Sequence, residues 1–425
     1  MRVLIVGSGG REHALVWKLS QSPGLARLYA APGSPGIASV AECLPIKADA
    51  VPELVAFAER EGVDLTVVGP ELPLTLGIVD AFEERGLRCF GPRQGAARIE
   101  SSKAFAKALM AQHGIPTARA RSFSSPTDAT RYVRSVGVPV VIKADGLAAG
   151  KGVTVCRDEA SALEAVEQMM IKKVFGTAGE TVVIEECLEG EEVSFFALTD
   201  GTQVLPLEAA QDHKAIFDGD RGPNTGGMGA YSPAPRLSGS LANEVMDTMV
   251  TPTVRALAKA GHPYRGVLYA GLMLTAQGPK VLEFNARFGD PETQPLLLRM
   301  EDDLLPLLYA TTTGGDLFPK AVRFGQKAAV CVVLASGGYP GEYATGRPIS
   351  GIEATLALPD VVVFHAGTAL KEGRLVTAGG RVLGVTALGE TMAAAIERAY
   401  EAVSKIHFDG MHFRRDIGRR AVGEA

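Results

Sequence analysis

The chain has 425 residues, 46% hydrophobic and 21% charged, with a formal net charge of −5. That balance excludes a disordered chain and an extended nucleic-acid binder, and the length suits about two to four domains. Five scattered cysteines without CxxC spacing exclude a zinc ribbon or a disulfide framework.

Residues 3–6 form a short apolar run, a strand and not a signal peptide or membrane span, so a cytoplasmic protein is expected. Residues 28–31, 65–68 and 89–90 also read as strands, with helices at 12–19, 52–61 and 78–85. This rhythm predicts a parallel α/β domain. The turn Gly7-Ser8-Gly9-Gly10-Arg11-Glu12-His13 opens the first helix, where backbone amides and the helix dipole can receive an anion. A purely structural tight turn is the alternative. Glu12 stands where the dinucleotide fingerprint GxGxxG has its third glycine, and Ala31-Pro32-Gly33 carries no acid for a ribose hydroxyl. A nicotinamide oxidoreductase is therefore disfavoured.

Ser101-Ser102 cap a helix reaching residue 112, and a further helix starts at Ser125-Pro126. Two strand-like runs then flank a glycine-rich hairpin loop containing Gly146, Gly150, Lys151 and Gly152. Such glycines let amides approach phosphate while the lysine adds a mobile charge, although the loop is no Walker motif. Lys143 precedes it on a strand; it either points to solvent or is buried with an anionic partner. A helix at 159–170 and a strand at 182–185 complete this small α+β lobe. The run 185–192 carries Glu185, Glu186, Glu189, Glu191 and Glu192. It is either a solvated connector or the wall of a nucleotide site.

From 205 to 237 no periodicity persists, and the segment predicts a functional loop carrying Gln211-Asp212-His213-Lys214 and Asn224-Thr225-Gly226-Gly227. Asp212 suits an ammonium and Lys214 a phosphate or carboxylate. A helix at 241–260 precedes strands at 267–274 and 280–288. In the second strand, alternation places Leu282, Phe284, Ala286 and Phe288 in a core and Glu283, Asn285 and Arg287 on the opposite wall. Glu283 and Asn285 make a hard-oxygen pair of the kind Mg²⁺ accepts beside phosphates, with Arg287 next to them; a solvated edge strand is the bland alternative. The chain turns at Gly289-Asp290-Pro291 into a helix expected to begin near Pro291. Strands at 328–334, 361–365 and 382–386 and a helix at 391–405 predict a last α+β domain.

Several long blocks in order, namely residues 7–13, 211–214, 224–232 (NTGGMGAYS), 287–294 (RFGDPETQ), 364–368 (FHAGT) and 413–418, resemble the glycinamide ribonucleotide synthetase family of the ATP-grasp superfamily. The resemblance implies an α/β and α+β multidomain chain with an ATP-grasp fold. An amino-terminal parallel α/β (Rossmann-like) domain spans 1–101. The central ATP-grasp domain takes 102–122 and 189–325, its lid lobe 123–188, and a small carboxy-terminal α+β domain 326–425. It implies ATP and Mg²⁺ or Mn²⁺ as cofactors, glycine and 5-phosphoribosylamine as substrates, no membrane or nucleic-acid partner, and a monomer or weak homo-oligomer. By the same resemblance Lys103, Lys143, Gly146, Gly150, Lys151 and Gly152 contact or cover the nucleotide phosphates. Glu185, Glu186 and Leu188 line the adenine, and Glu191 or Glu192, with Glu192 favoured, holds its ribose. Glu283 and Asn285 match metal ligands. Asp212 is expected on the glycine ammonium and Arg287 on the transferring oxygens, while Gly9, Gly10, Arg11 and Lys214 are candidates for the ribose phosphate. Another ATP-grasp ligase or carboxylating enzyme is the alternative.

Overall fold

A computed structural model describes residues 1–148, 151–314 and 321–423. Strands Arg2–Gly7, Arg27–Pro32, Leu65–Val68 and Cys89–Phe90, with the two-residue strand Glu42–Cys43, form a wholly parallel sheet. Its strands are apolar on both faces because both are covered. Leu4 and Val6 pack with Phe57 and Phe82, while Val3 and Ile5 pack with Leu15 and Leu19. That second core continues into Phe196, Leu198, Leu304 and Leu308, joining the amino-terminal domain to the central body.

The central sheet is antiparallel, in the order Val204–Pro206, Glu191–Thr199, Gly266–Thr275, Gly278–Asn285. A second antiparallel sheet, Ala120–Phe123, Val182–Glu186, Val140–Ala144 and Val153–Cys156, has its own core around Ile142, Ile184, Val166 and Met169. Between these sheets runs helix Lys103–Gln112, capped by Ser102, whose side chain accepts from Phe105 N. Ser101 instead ends the preceding helix, Gln94–Ser101.

The segment 205–237 is more regular than its lack of periodicity predicts. Gln211–Asp212 and Gly229–Ser232 are strands of a sheet completed by Ala328–Ala335, Arg381–Gly389 and Val361–His365. Strands this short carry no readable alternation; Gln211–Asp212 pairs with Gly229–Ser232, which in turn pairs with the distant strand Ala328–Ala335. The crossing chain brings Asp212 and Lys214 to the junction of three bodies. All five cysteines are free thiols, and among the described residues no helix is long and apolar enough to cross a membrane.

Candidate active site

Strand Gly278–Asn285 forms the floor of the site. A bulge interrupts its pairing, since Gly271 faces Glu283 while Leu272 faces Val281. The extra residue shifts the phase of alternation. Val281 and Phe284 are therefore in the core, at 0% and 2% exposure, and Leu282 lines the cleft beside Glu283 and Asn285. The expected placement of Leu282 in the core is corrected by this bulge. The strand also ends at Asn285 rather than 288, because Ala286 N turns away to donate to Glu100 Oε2 at 2.6 Å. The following helix begins at Thr293, with Glu292 at its N-cap, two residues later than the position of Pro291 suggests.

Burial opposes ionisation of Glu283, but Lys214, Lys143, Lys103 and Arg287 outweigh it and hold its carboxyl down at about 2. Arg287 donates to Asn285 Oδ1 at 3.1 Å. Its guanidinium also lies 3.1 Å from Glu100 Oε1 and 3.5 Å from Glu71 Oε2. Burial disfavours that charge, yet these two carboxylates raise the Arg287 pKa and keep it cationic.

The opposite wall comes from the sheet containing Val140–Ala144 and Val182–Glu186 and from the helix Lys103–Gln112. Lys143 is buried, its ammonium 3.0 Å from Glu185 Oε1 and donating to Leu282 O at 3.2 Å. This is the buried, paired alternative of the sequence reading. Lys103 donates to Gly146 O at 3.2 Å, and burial lowers its pKa. Glu186 turns outward to Arg119 at 2.8 Å but still lines the cleft with Leu188 and Gly152. Lys151, also a lining residue, donates to Pro340 O at 2.8 Å. Gly146 sits against residue 178, where a Cβ would come within 2.7 Å of Ala178 Cβ. Gly150 lies outside the described residues.

Asp212 and Lys214 close the third side. Asp212 Oδ1 is buried without a hydrogen-bond partner, and burial together with Glu292 pushes this carboxyl well above its usual range. Gly227, at φ +114°, permits the approach, since a Cβ there would lie 2.8 Å from Asp212 Oδ1. Lys214 meets Glu192 Oε2 at 3.0 Å; that carboxylate raises the Lys214 pKa against the opposing effect of burial. Glu192 lines the cleft, whereas Glu191 turns to Arg236 at 3.3 Å and to Gln211 Nε2 at 2.9 Å. Arg381 from the carboxy-terminal sheet binds Asp290 Oδ2 at 3.0 Å and the carbonyl of Gly226 at 2.6 Å.

At the first strand end, Gly9 N donates to Glu12 Oε2 at 2.6 Å, and Arg11 donates to Glu12 Oε1 at 2.6 Å and to Phe288 O at 3.0 Å. The Glu12 side chain fills the space between Gly7 and Gly69: a Cβ on Gly7 would lie 2.6 Å from Glu12 Cγ, and one on Gly69 would collide with Oε1. The helix thus receives its own carboxylate. The Gly9 amide is already engaged by Glu12. Gly10 packs on Gln294, 2.7 Å from a Cβ placed there. Of this turn, Arg11 lines the cleft.

One cleft of about 590 Å³ gathers Arg11, Lys103, Lys143, Lys151, Gly152, Glu185, Glu186, Leu188, Glu192, Asp212, Lys214, Glu283, Asn285 and Arg287. It also contains Glu71, Glu100, Lys107, Tyr269, Glu292 and Arg381, to which sequence reasoning assigned no role. Lys107 alone left a signal, standing four residues from Lys103 on one helix face. Glu292 is held by Tyr269 OH at 2.6 Å and Ser194 Oγ at 3.0 Å, partners that only the folded sheet supplies.

Two antiparallel sheets closing on a lysine-rich cleft, with a carboxylate and an amide on its floor, define an ATP-dependent ligase of the ATP-grasp class. Family models for phosphoribosylglycinamide synthetase match the chain in three consecutive parts: the N domain at residues 1–100, the ATP-grasp (A) domain at 101–293 and the C domain at 329–420. The chain belongs to the phosphoribosylglycinamide synthetase family. It is 54% identical to the phosphoribosylamine–glycine ligase of Allochromatium vinosum, over 99% of both chains. With that of Pseudomonas aeruginosa the identity is 52%, over 99% of this chain and 98% of that protein. The crystal structure of the Thermotoga maritima phosphoribosylamine–glycine ligase superposes with a TM-score of 0.84 at 35% identity, covering 98% of this chain and 100% of that one. The biotin carboxylase domain of Hydrogenobacter thermophilus 2-oxoglutarate carboxylase shares the fold alone, with a TM-score of 0.75 at 16% identity over 97% of this chain and 91% of that one.

Proposed function

We propose that this cleft joins glycine to 5-phosphoribosylamine at the expense of ATP, giving glycinamide ribonucleotide, ADP and phosphate in de novo purine synthesis in the cytoplasm. The observation that carries the reading is the convergence of Lys143 from the lid, Glu283 and Asn285 from the central strand and Asp212 from the crossing segment on one cavity. A glycine carboxylate oxygen attacks the γ-phosphorus and ADP leaves. The amine nitrogen then attacks the carbonyl carbon of glycyl phosphate, phosphate departs, and the nitrogen loses a proton. Both steps need aligned, neutralised charge more than a protein nucleophile.

Lys103 and Lys143 are assigned to the phosphate oxygens, and residues 146–152 to covering them and excluding water from the acyl phosphate. Glu185, Glu186 and Leu188 are assigned to the base, and Glu192, in preference to Glu191, whose carboxylate is held by Arg236 and Gln211, to the ribose. Asp212 takes the glycine ammonium: its partnerless oxygen and raised pKa mark a buried carboxyl that a cation would restore to its charged form. Arg287, fixed by Glu71 and Glu100, steadies the transferring oxygens. Arg11 and Lys214 are the cationic candidates for the ribose phosphate, with Gly9 and Gly10 behind them because the Gly9 amide already serves Glu12.

Among the described residues no group of three or more His, Cys, Asp and Glu is placed to hold a metal. The pair Glu283 and Asn285 nonetheless fits Mg²⁺ or Mn²⁺, because one ionised carboxylate and one amide oxygen leave most positions for phosphate and water. Such an ion supplies Lewis-acid neutralisation of the triphosphate. ADP release with single and paired substrates tests the reading. Glycine and phosphoribosylamine together should give turnover that neither supports alone; equal turnover with bicarbonate or another amino acid would overturn it.

A further inference from the structure

Lys107 is a buried cation with no part in the chemistry described so far. It stands one turn beyond Lys103 on the helix Lys103–Gln112, so both side chains reach the same cleft. Its ammonium is 3.0 Å from Glu185 Oε2, while Lys143 meets Oε1 of the same carboxylate at 3.0 Å. The three side chains are 8%, 2% and 6% exposed for Lys107, Glu185 and Lys143. Lys107 also donates to Thr117 Oγ1 at 2.8 Å, and that hydroxyl donates to Val281 O at 2.6 Å. The ammonium is thereby anchored to the strand that carries Glu283.

One lysine would suffice to satisfy a buried carboxylate. A second buried ammonium carries a desolvation cost that the shared carboxylate offsets only in part. Burial accordingly pulls the Lys107 pKa down to about 8, with Glu185 and Glu283 acting in the opposite direction and Lys143 adding to the fall. The trio sums to one positive charge, where a simple Lys143–Glu185 pair would sum to none. The surplus lies at the wall where Lys143 faces the cleft.

We propose that Lys107 is a positioning residue for the nucleotide: by taking half of the Glu185 carboxylate it keeps the charge of Lys143 uncancelled for phosphate oxygens. This rests on the placement of the phosphates at Lys143 given above. Lys107→Met lets Glu185 neutralise Lys143 completely. The expected result is a KM for Mg-ATP raised about tenfold with the KM for glycine within about twofold, the size of losing one charge-assisted contact. In a Glu185→Gln background, where no carboxylate is left to cancel Lys143, Lys107→Met should leave the KM for ATP within about twofold of that of Glu185→Gln alone.

A merely structural Lys107 predicts the opposite, with losses that add in the double variant and fall on both substrates. Additive losses, or an unchanged KM for ATP in Lys107→Met, would overturn the proposal. Lys143→Met separates it from the reading beneath: if that variant leaves the KM for ATP unchanged, the phosphate placement itself is wrong. Should Lys107→Met fail to melt cooperatively, Lys107→Arg carries the test. It keeps the cation and should hold the KM for ATP within about threefold of the parent, and a larger rise would count against the charge-sharing role.

Discussion

Acidification to pH 4.5 is expected to unfold this enzyme largely through three buried histidines. His13, His213 and His365 are 7%, 1% and 9% exposed. His13 Nδ1 accepts the backbone amide of His365 at 2.8 Å, a bond that protonation would break. Burial, helped by His365, lowers the His13 pKa to about 3. Burial, helped by Arg414 and Arg420, lowers His213 to about 3, and burial lowers His365 to about 4. In the unfolded chain each titrates near the ordinary 6.5. Between those limits the unfolded state binds more protons, so the contribution is intact above about pH 6.5 and is lost as pH falls. At pH 4.5 each histidine removes about 2.5 kcal/mol, together about 7.5, against a total stability of roughly 5–15 kcal/mol. Urea unfolding at half-unit pH steps measures the effect. The slope should approach about 4 kcal/mol per pH unit below pH 6, and His13→Asn should reduce it by about a third. A stability that stays level from pH 7 to pH 5 would refute the reasoning, because the histidines would then titrate normally inside the fold.

Glu283→Ala should lower kcat by at least about a hundredfold and abolish its dependence on magnesium concentration, while cooperative melting persists; wild-type kinetics would remove the residue from the site. Asp212→Asn should raise the KM for glycine by about tenfold or more and leave the KM for ATP nearly unchanged. An equal rise in both constants would rule out its assignment to the ammonium.

Much of the fold was legible because its signals are local. The strands at 3–6, 28–31 and 65–68 are apolar but for the buried Thr66, as a parallel sheet covered on both faces requires. Ser102, Ser125 and Thr391 each cap the helix that follows them through a side-chain hydrogen bond. Glu283 and Asn285 could be placed on one wall from alternation, and the glycine-lysine hairpin from its composition; Arg287 reaches the same cleft although the strand ends before it. What escaped depends on partners distant in sequence. The phase slip at Leu282 is set by the pairing with Gly271 and Leu272. The strands at 211–212 and 229–232 exist because Ala328–Ala335 is there to extend them. The capture of Glu12 between Gly7 and Gly69, and the sharing of Glu185 by Lys107 and Lys143, join residues from separate elements that no spacing rule connects.

Activation of the glycine carboxylate by phosphoryl transfer within this one cleft is tested most directly by following its oxygens. With glycine labelled by ¹⁸O in the carboxylate, and ATP, magnesium and phosphoribosylamine supplied, mass spectrometry of the released phosphate reads the route. One labelled oxygen per phosphate is the result expected of a glycyl phosphate. Phosphate carrying only unlabelled oxygen, formed at the same rate as glycinamide ribonucleotide, would contradict it.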